Sequence, residues 1–550
     1  MTTPFEFAVE VLRWAWGIPV FALLWWLTRR LRHDPHELRE PRWEGRALWF
    51  TLERLDRVSL GIIAGAGLLF WLGRNTVDPI PPDSVYHLLV ARRITELGAI
   101  PWWDDWQFAP LGRPHLYPPL FHLLLAGAAK LAGGDFITGF RWVESLALPF
   151  TFFSTWYLAR WLFDARRAFV ALLIVGTDYS LVFTSVMGTP SVLSTSLFSI
   201  LIVFFLSGRW LVATAIAIMI VYTHLGVPTI MFGALTIFCV FNRRYLPQLL
   251  AMAAITLVTG LPWYARLVIF RDWFAHPLEL GVYGALPSEW IWFYKIAWLQ
   301  FISISILVLM IRSFRGLRWG EPRNQILLAI IAASLPMLLN YGGRFYTHSL
   351  HIWAILAGGL FAQYLVAPVS RKRIIAFCLL ALTPSAGIMG TGTPIGPGVY
   401  PMPSAWLLGP FIAAGGLRLV NDSQPPGYVT WAQTSAVGER VAALTEPDQI
   451  IYCEHDRDFA LMVQWHAHRP IDTGAWEETQ PGKQAMELID WAGRNNPRAC
   501  FVSRFNVGFP ADMYVEQVGD LFIAIRMDKK DQKQLRKEIR KQEKAGRNVP

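Results

Sequence analysis

Apolar runs of about 17 to 23 residues recur along most of the chain, each long enough to cross a hydrocarbon core of roughly 30 Å. Twelve membrane helices are predicted, near 8–28, 57–73, 140–162, 167–186, 190–207, 209–223, 225–241, 246–264, 294–311, 325–340, 347–367 and 374–390. Composition agrees: of 550 residues, 54% are hydrophobic, 14% aromatic and only 16% charged, far from the soluble average. The expected fold class is a polytopic α-helical membrane protein with a small C-terminal α/β outer domain.

Lys and Arg in short loops give an independent test, because they are retained on the cytoplasmic side. Basic clusters lie at Arg29 to Arg57, at Arg160, Arg166 and Arg167, at Arg209, at Arg243 and Arg244, at Arg312 to Arg323 and at Arg371 to Arg373. All fall on one face if the N-terminus is outside and "PPLFHLLLAGAAKLAGG", 118–134, does not cross. That segment is short and contains Lys130, which suits an interfacial or re-entrant helix. Residues 74–140 then form one long outer loop, and "MPSAWLLGPFIAAGGLRLV", 402–420, is read as interfacial too.

The chain thus divides into an extra N-terminal membrane helix with a basic cytoplasmic loop (1–56), a membrane domain (57–420), a soluble domain (421–526) and a basic tail (527–550). In the soluble domain "QIIYCE", "ACFVSRF" and "MYVEQVGDLFIAIR" read as strands, the last a hairpin turning at Gly519 and Asp520. "SAVGERVAALTE", "FALMVQWHAH" and "AMELIDWAGR" read as amphipathic helices. A crossover of this kind places Cys453 and Cys500 on neighbouring strands. The favoured reading of the two is small buried hydrophobes, and a bridge depends on register.

The formal charge of +10 raises nucleic acid as a partner, but Arg526 to Pro550 alone holds ten Lys and Arg against four Asp and Glu, a net of +6. Such a tail lacks a core and fits a solvated arm or a brush against anionic lipid. No nucleic acid is expected. Four cysteines without a CxxC exclude a zinc or redox site of that kind. The absence of a Gly-rich phosphate loop argues against ATP chemistry. "MTTPFEFAVEVLRW" has no basic region before its apolar run, so a cleavable signal is not expected.

The outer loop concentrates the ionisable chemistry. Asp83 follows Pro-Pro and precedes a helix that stops at Gly98, the place of an N-cap. His87 lies one turn further on the same face, and the segment continues into "WWDDW" and "GRPHLYPPLFH". A carboxylate and an imidazole so spaced can share a proton or bind a divalent cation, with Asp104 or Asp105 completing an oxygen-rich site. The tryptophans also suit a membrane interface whatever the function. Glu144 and Asp178 are acids within predicted membrane helices; Arg141 beside the first and Tyr179 and Ser180 beside the second offer local partners.

The run "DSVYHLLVARRITELGAIPWWDDWQFAPLGRPHLYPPLFHLLLAGAAKLAG" resembles the first outer loop of GT-C glycosyltransferases. These are polytopic enzymes that use polyprenyl-phosphate-linked sugars, among them oligosaccharyltransferase catalytic subunits, protein mannosyltransferases and the lipid A aminoarabinose transferase. The shared pattern is an acid beyond a membrane helix, an aromatic or His shortly after, a Gly-x-x-Pro step and a Tyr-Pro-Pro segment. "RWVESLALPFTFFSTWYLARWLFDARRAFVALL" and "GGRFYTHSLHIWAILAGGLF" continue the resemblance.

The resemblance implies a glycosyltransferase that moves a hexose or pentose from a polyprenyl-phosphate donor to a glycan, lipid or protein acceptor. It would act at the outer face of the plasma (inner) membrane, where the C-terminal domain also lies. Asp83 matches the catalytic acid, with His87 beside it, and a divalent cation, Mg or Mn, would sit on that pair if one is used. Arg344 matches the residue that holds the lipid phosphate, followed by His348 and Arg266, and more weakly by His351 and Arg271. Each of those four is equally what an interfacial anchor looks like. Asp104, Asp105, Arg113, His115 and Tyr117 are expected to bind substrate. Two departures stand out: "SVMGTPSVLSTS" has no second acid, and the outer domain has no Trp-Trp-Asp-Tyr-Gly. The alternative is a non-catalytic lipid-linked-glycan transporter or assembly factor on the same scaffold.

Overall fold

The computed structural model describes residues 51–76, 78–79, 83–178, 190–271, 303–314, 317–337, 342–365, 369–382, 385–389, 398–402, 431–453, 457–474, 499–503 and 513–526, with a few single residues elsewhere. The helices are α1 (Arg54–Gly73), α2 (Asp83–Leu97), α3 (Leu120–Leu131), α4 (Phe136–Leu162), α5 (Ala165–Val175), α6 (Pro190–Leu206), α7 (Trp210–Val221) and α8 (Val227–Phe241). They continue as α9 (Leu246–Ile269), α10 (Ile304–Ser313), α11 (Pro322–Ser334), α12 (Gly342–Phe361), α13 (Arg371–Leu382), α14 (Trp431–Leu444) and α15 (Arg457–Ala467). The strands are β1 (Trp103–Asp104), β2 (Arg113–Pro114), β3 (Ser385–Met389), β4 (Gly398–Met402), β5 (Ile451–Cys453), β6 (Cys500–Ser503), β7 (Met513–Val518) and β8 (Leu521–Arg526). They form two compact units that cut across the linear domain boundaries. One comprises 1–79, 117–265 and 286–420; the other joins 80–116 and 266–285 to 421–550.

The first unit is helical. Among the described residues α1 and the segment Arg243–Ile269 are long and apolar enough to cross a bilayer, with mean hydropathies of 1.5 and 1.4. Asp135 caps α4 by accepting from the amides of Ile137 (2.9 Å) and Thr138 (3.1 Å), which satisfies two of its orphan donors. The short α3, about 18 Å long at 1.5 Å per residue, meets α4 at 119°. That geometry suits the interfacial or re-entrant reading of 118–134. Gly139 permits the turn: a Cβ there would lie 2.5 Å from the Ala129 amide nitrogen. Charge between α1 and α4 is paired. Arg160 on α4 donates from Nε to both Asp56 oxygens at 3.0 Å, and from Nη2 to Glu53 at 3.0 Å, so α1 and α4 are held by an ion pair buried on both sides. Arg141 pairs with Asp78 at 2.9 Å.

One expected span is shorter than the apolar run suggests. Residues 374–390 were expected to be one helix, but α13 ends at Leu382 and 385–389 form β3, antiparallel to β4 with Ser385 opposite Met402. Pro384 and the glycines of "GIMGTGTPIGPG" explain the change, since proline disfavours helix in the residue before it and glycine weakens helix. The expected helix at 8–28, the interfacial segment at 402–420 and "AMELIDWAGR" fall outside the described residues.

The second unit is built on a four-stranded sheet of order β5-β6-β8-β7. β5 and β6 run parallel, and β6, β8 and β7 are antiparallel in turn. The hairpin turns at Gly519, whose φ of +59° suits glycine. Cys453 and Cys500 do lie on neighbouring strands, as the crossover predicts, and both are free thiols. α14 and α15 pack on each other, and Arg440 on α14 forks onto Glu516 of β7 at 2.7 and 2.8 Å. The segment around Trp106 to Ala109 is sewn to this domain: Phe108 and Ala109 donate to the carbonyls of Thr473 (3.0 Å) and Ile471 (2.9 Å), and Ile471 donates to Trp106 (3.1 Å).

Candidate active site

β1 and β2 set the register of the loop chemistry by pairing Asp104 with Arg113. Directly opposed residues share a face, and side chains repeat every second residue, so Arg113 and His115 both flank Asp104. Gly112, at φ +67°, makes the return: a Cβ there would press on the Trp103 ring and lie 2.9 Å from the Asp104 carbonyl. Arg113 Nε donates to Asp104 Oδ2 at 3.3 Å, and His115 Nδ1 stands 2.9 Å from Oδ1. Arg113 Nη2 donates to Gln107 at 2.8 Å, and the Tyr86 hydroxyl is 3.3 Å from His115 Nδ1. All of these side chains are buried.

α2 brings Tyr86 and the His87 imidazole to this cluster, with the acid, Asp83, one turn before. The helix begins at Asp83 itself, which is 8% exposed, and His87 follows one turn later, fully buried and edge-on to Tyr86 with ring centres 5.4 Å apart. Burial first, and then His115, push the His87 imidazole down to about 3. It is therefore neutral at pH 7. Burial pushes the Asp104 carboxyl up, but His115 and Arg113 outweigh it by charge and hydrogen bonding and hold the group below the usual carboxylate range. Asp104 is thus a fixed anion engaged by two partners, an organiser of the cluster.

The remaining candidates are placed differently. Asp105, next in sequence, points away: its side chain is 60% exposed and pairs with Arg93 at 3.0 Å. Arg266 donates from Nη2 to the Trp102 carbonyl and lies 4.3 Å over the Trp102 ring. In the helical unit Tyr117 meets His122 and His224 edge-on, with ring centres 5.7 and 6.3 Å apart, and His224 lies 5.5 Å from His348. His224 is itself pinned, its Nδ1 accepting from the amides of Gly226 (3.0 Å) and Val227 (3.1 Å). Arg344 lies in the first turn of α12, one turn before His348, and its side chain is outside the described residues. His351 is buried on α12.

The residues do not fit the divalent cation that the resemblance allows. Among the described residues no three His, Cys, Asp or Glu side chains come together as ligands. The carboxylate that would complete the set with Asp83 and His87, Asp104, already holds a guanidinium. Hard cations need several oxygen donors.

Sequence reading did not single out Tyr86, Gln107, His122 or His224. Tyr86 and Gln107 flank named candidates, and His122 and His224 are histidines at the ends of apolar runs, a signal that was available.

No protein-family model matches the chain, and no curated protein matches it in sequence. Its fold is similar to that of solved structures. ArnT from Cupriavidus metallidurans bound to undecaprenyl phosphate aligns over 87% of this chain and 99% of its own, with a TM-score of 0.56 at 12% identity. The same protein in the apo state aligns over 85% and 97%, again at 0.56, with 13% identity. The Archaeoglobus fulgidus oligosaccharyltransferase with Zn and sulfate aligns over 80% and 67%, with a TM-score of 0.49 and 13% identity. The chain shares the helical fold of the two ArnT structures. At such identities the likeness is one of fold.

Proposed function

We propose that the protein is a membrane glycosyltransferase that moves a sugar from a polyprenyl-phosphate carrier to a glycan, lipid or protein acceptor on the outer face of the plasma membrane. The observation that carries this reading is a nearly buried acid, Asp83, opening α2 one turn before a neutral imidazole, His87, that faces the charge of His115 in the ordered Asp104–Arg113–His115 cluster. The likeness to a protein solved with undecaprenyl phosphate supports the choice of donor.

In this reading the acceptor hydroxyl or amine attacks the anomeric carbon. Its proton passes to the Asp83 carboxylate, and the bond from the anomeric carbon to the phosphate oxygen breaks with the electron pair leaving on the carrier phosphate. A phosphate is a good leaving group, so the protein supplies a base and cations. Arg344 serves the phosphate, because a guanidinium donates two parallel hydrogen bonds to it, with His348 one turn on. His87, being neutral, orients Asp83 or the acceptor and carries no charge. The Asp104 cluster holds α2 in place. No step passes through a metal.

The test is incubation of the purified protein with a panel of labelled polyprenyl-phosphate sugars, scoring transfer and slow hydrolysis. One donor that yields either product supports the reading. Neither product from any donor would favour a carrier or assembly factor.

A further inference from the structure

A cleft in the second unit, separate from the Asp104 cluster, is walled by α2, the 105–110 segment and the outer domain. Its volume is about 470 Å³, within the roughly 300–1,000 Å³ of small-molecule sites. Three arginines, Arg92, Arg93 and Arg469, stand against three carboxylates, Glu96, Asp105 and Asp448. The remaining titratable lining group is His468; burial, and then Arg92, hold its imidazole below the ordinary histidine range. The lining is therefore balanced in charge. A phosphate or sulfate would call for surplus cation.

Two features of the wall point to a polar, uncharged occupant. Gln464, 2% exposed, donates its amide nitrogen to the Trp106 carbonyl, which fixes its Oε1 as an acceptor. Among the described residues that Oε1, the Trp106 indole N–H and Arg93 Nε are buried polar atoms with no hydrogen-bond partner. Leaving such groups unpaired is costly. Trp106 also offers an indole beside proline and aliphatic surface in the same cleft.

We propose that this cleft is a saccharide-binding site for a neutral glycan. Sugar hydroxyls both donate and accept, which matches a wall carrying unpaired donors and an unpaired acceptor, and the C–H faces of a pyranose pack on an indole. As an outer-domain site it would hold the acceptor glycan, a role that rests on the glycosyl-transfer reading; the binding itself does not.

The test is saturation-transfer-difference NMR on the full chain in detergent, with no donor present. Maltotriose and diacetylchitobiose serve as neutral probes and trigalacturonate as an acidic one. Saturation transfer to a neutral probe is expected, weakened at least tenfold in Trp106→Ala and Gln464→Leu. The double substitution of surface Glu96 and Asp105 by Ala keeps the fold and should weaken neutral binding at least threefold. No transfer to any probe, preference for trigalacturonate, or binding unmoved by the variants would overturn the site. Neutral binding that persists while no donor is turned over would sink the enzymatic reading alone.

Discussion

Asp83 and His87 sit one turn apart on α2, yet acid acts on the fold through the second of them. Burial lowers the native His87 imidazole from 6.5 to about 3, so between those values the unfolded chain takes up a proton that the native one refuses. The stability it protects is complete above pH 6.5 and falls as pH drops toward 3, by about 1.4 kcal/mol per unit. Asp104, held low by His115 and Arg113, adds a loss in the same direction at lower pH. Thermal melting in detergent should therefore fall steeply from pH 6.5 to 4.5 in the wild type and less in His87→Asn; parallel profiles would contradict the burial. Arg344 makes a separate claim. Arg344→Lys keeps charge but loses the planar fork, so donor turnover should be damaged, though less than in Arg344→Ala. Equal activity in all three forms would make Arg344 an interfacial anchor. That the loop held a cluster was legible from its residue types, but which acid joins it was not. Asp104 and Asp105 are adjacent, successive strand residues face opposite ways, and only the β1–β2 register decides which turns inward.

Strand adjacency was the more readable property of the C-terminal domain, because consecutive parallel strands joined by a crossover usually neighbour one another. The bond between them was not readable. Cys500 pairs with Ile451 and Cys453 with Val502, an offset of two residues that puts the Cα atoms roughly 8 Å apart, beyond the reach of a disulfide. Burial also pushes the Cys500 thiol up to about 12. Thiol counting under denaturing, non-reducing conditions should find both free, and on the native protein Cys453 should alkylate well before Cys500. A bridge between them by mass spectrometry would contradict the register. Among the described residues apolar run length located helices of the first unit, whereas it overran at 385–389, where a local proline and nearby glycines prevail over hydrophobicity. Hydropathy reports burial in lipid or protein alike, and so cannot separate an apolar helix from an apolar hairpin.

The whole molecule was legible as a class, since run length, basic-loop asymmetry and the Asp83 to Gly134 pattern all pointed to one membrane architecture. The grouping of 80–116 with the C-terminal domain was not, because it depends on contacts between segments more than 350 residues apart, such as Arg92 with the Trp465 carbonyl. The basic clusters carry the expectation for topology. Single cysteines at 83, 344 and in 421–526 should react with an impermeant reagent from one side of sealed vesicles, and those at 243 and 371 from the other. Labelling of 83 and 344 from opposite sides would mean that 118–134 crosses. The catalytic assignment meets its most direct test in single-turnover release of polyprenyl phosphate from a labelled donor, wild type against Asp83→Asn. Asparagine keeps the size and an acceptor oxygen at the first helical residue but removes the base. Donor binding should persist while release slows by about 10²- to 10⁴-fold; release at the wild-type rate from a folded Asp83→Asn protein would contradict the mechanism.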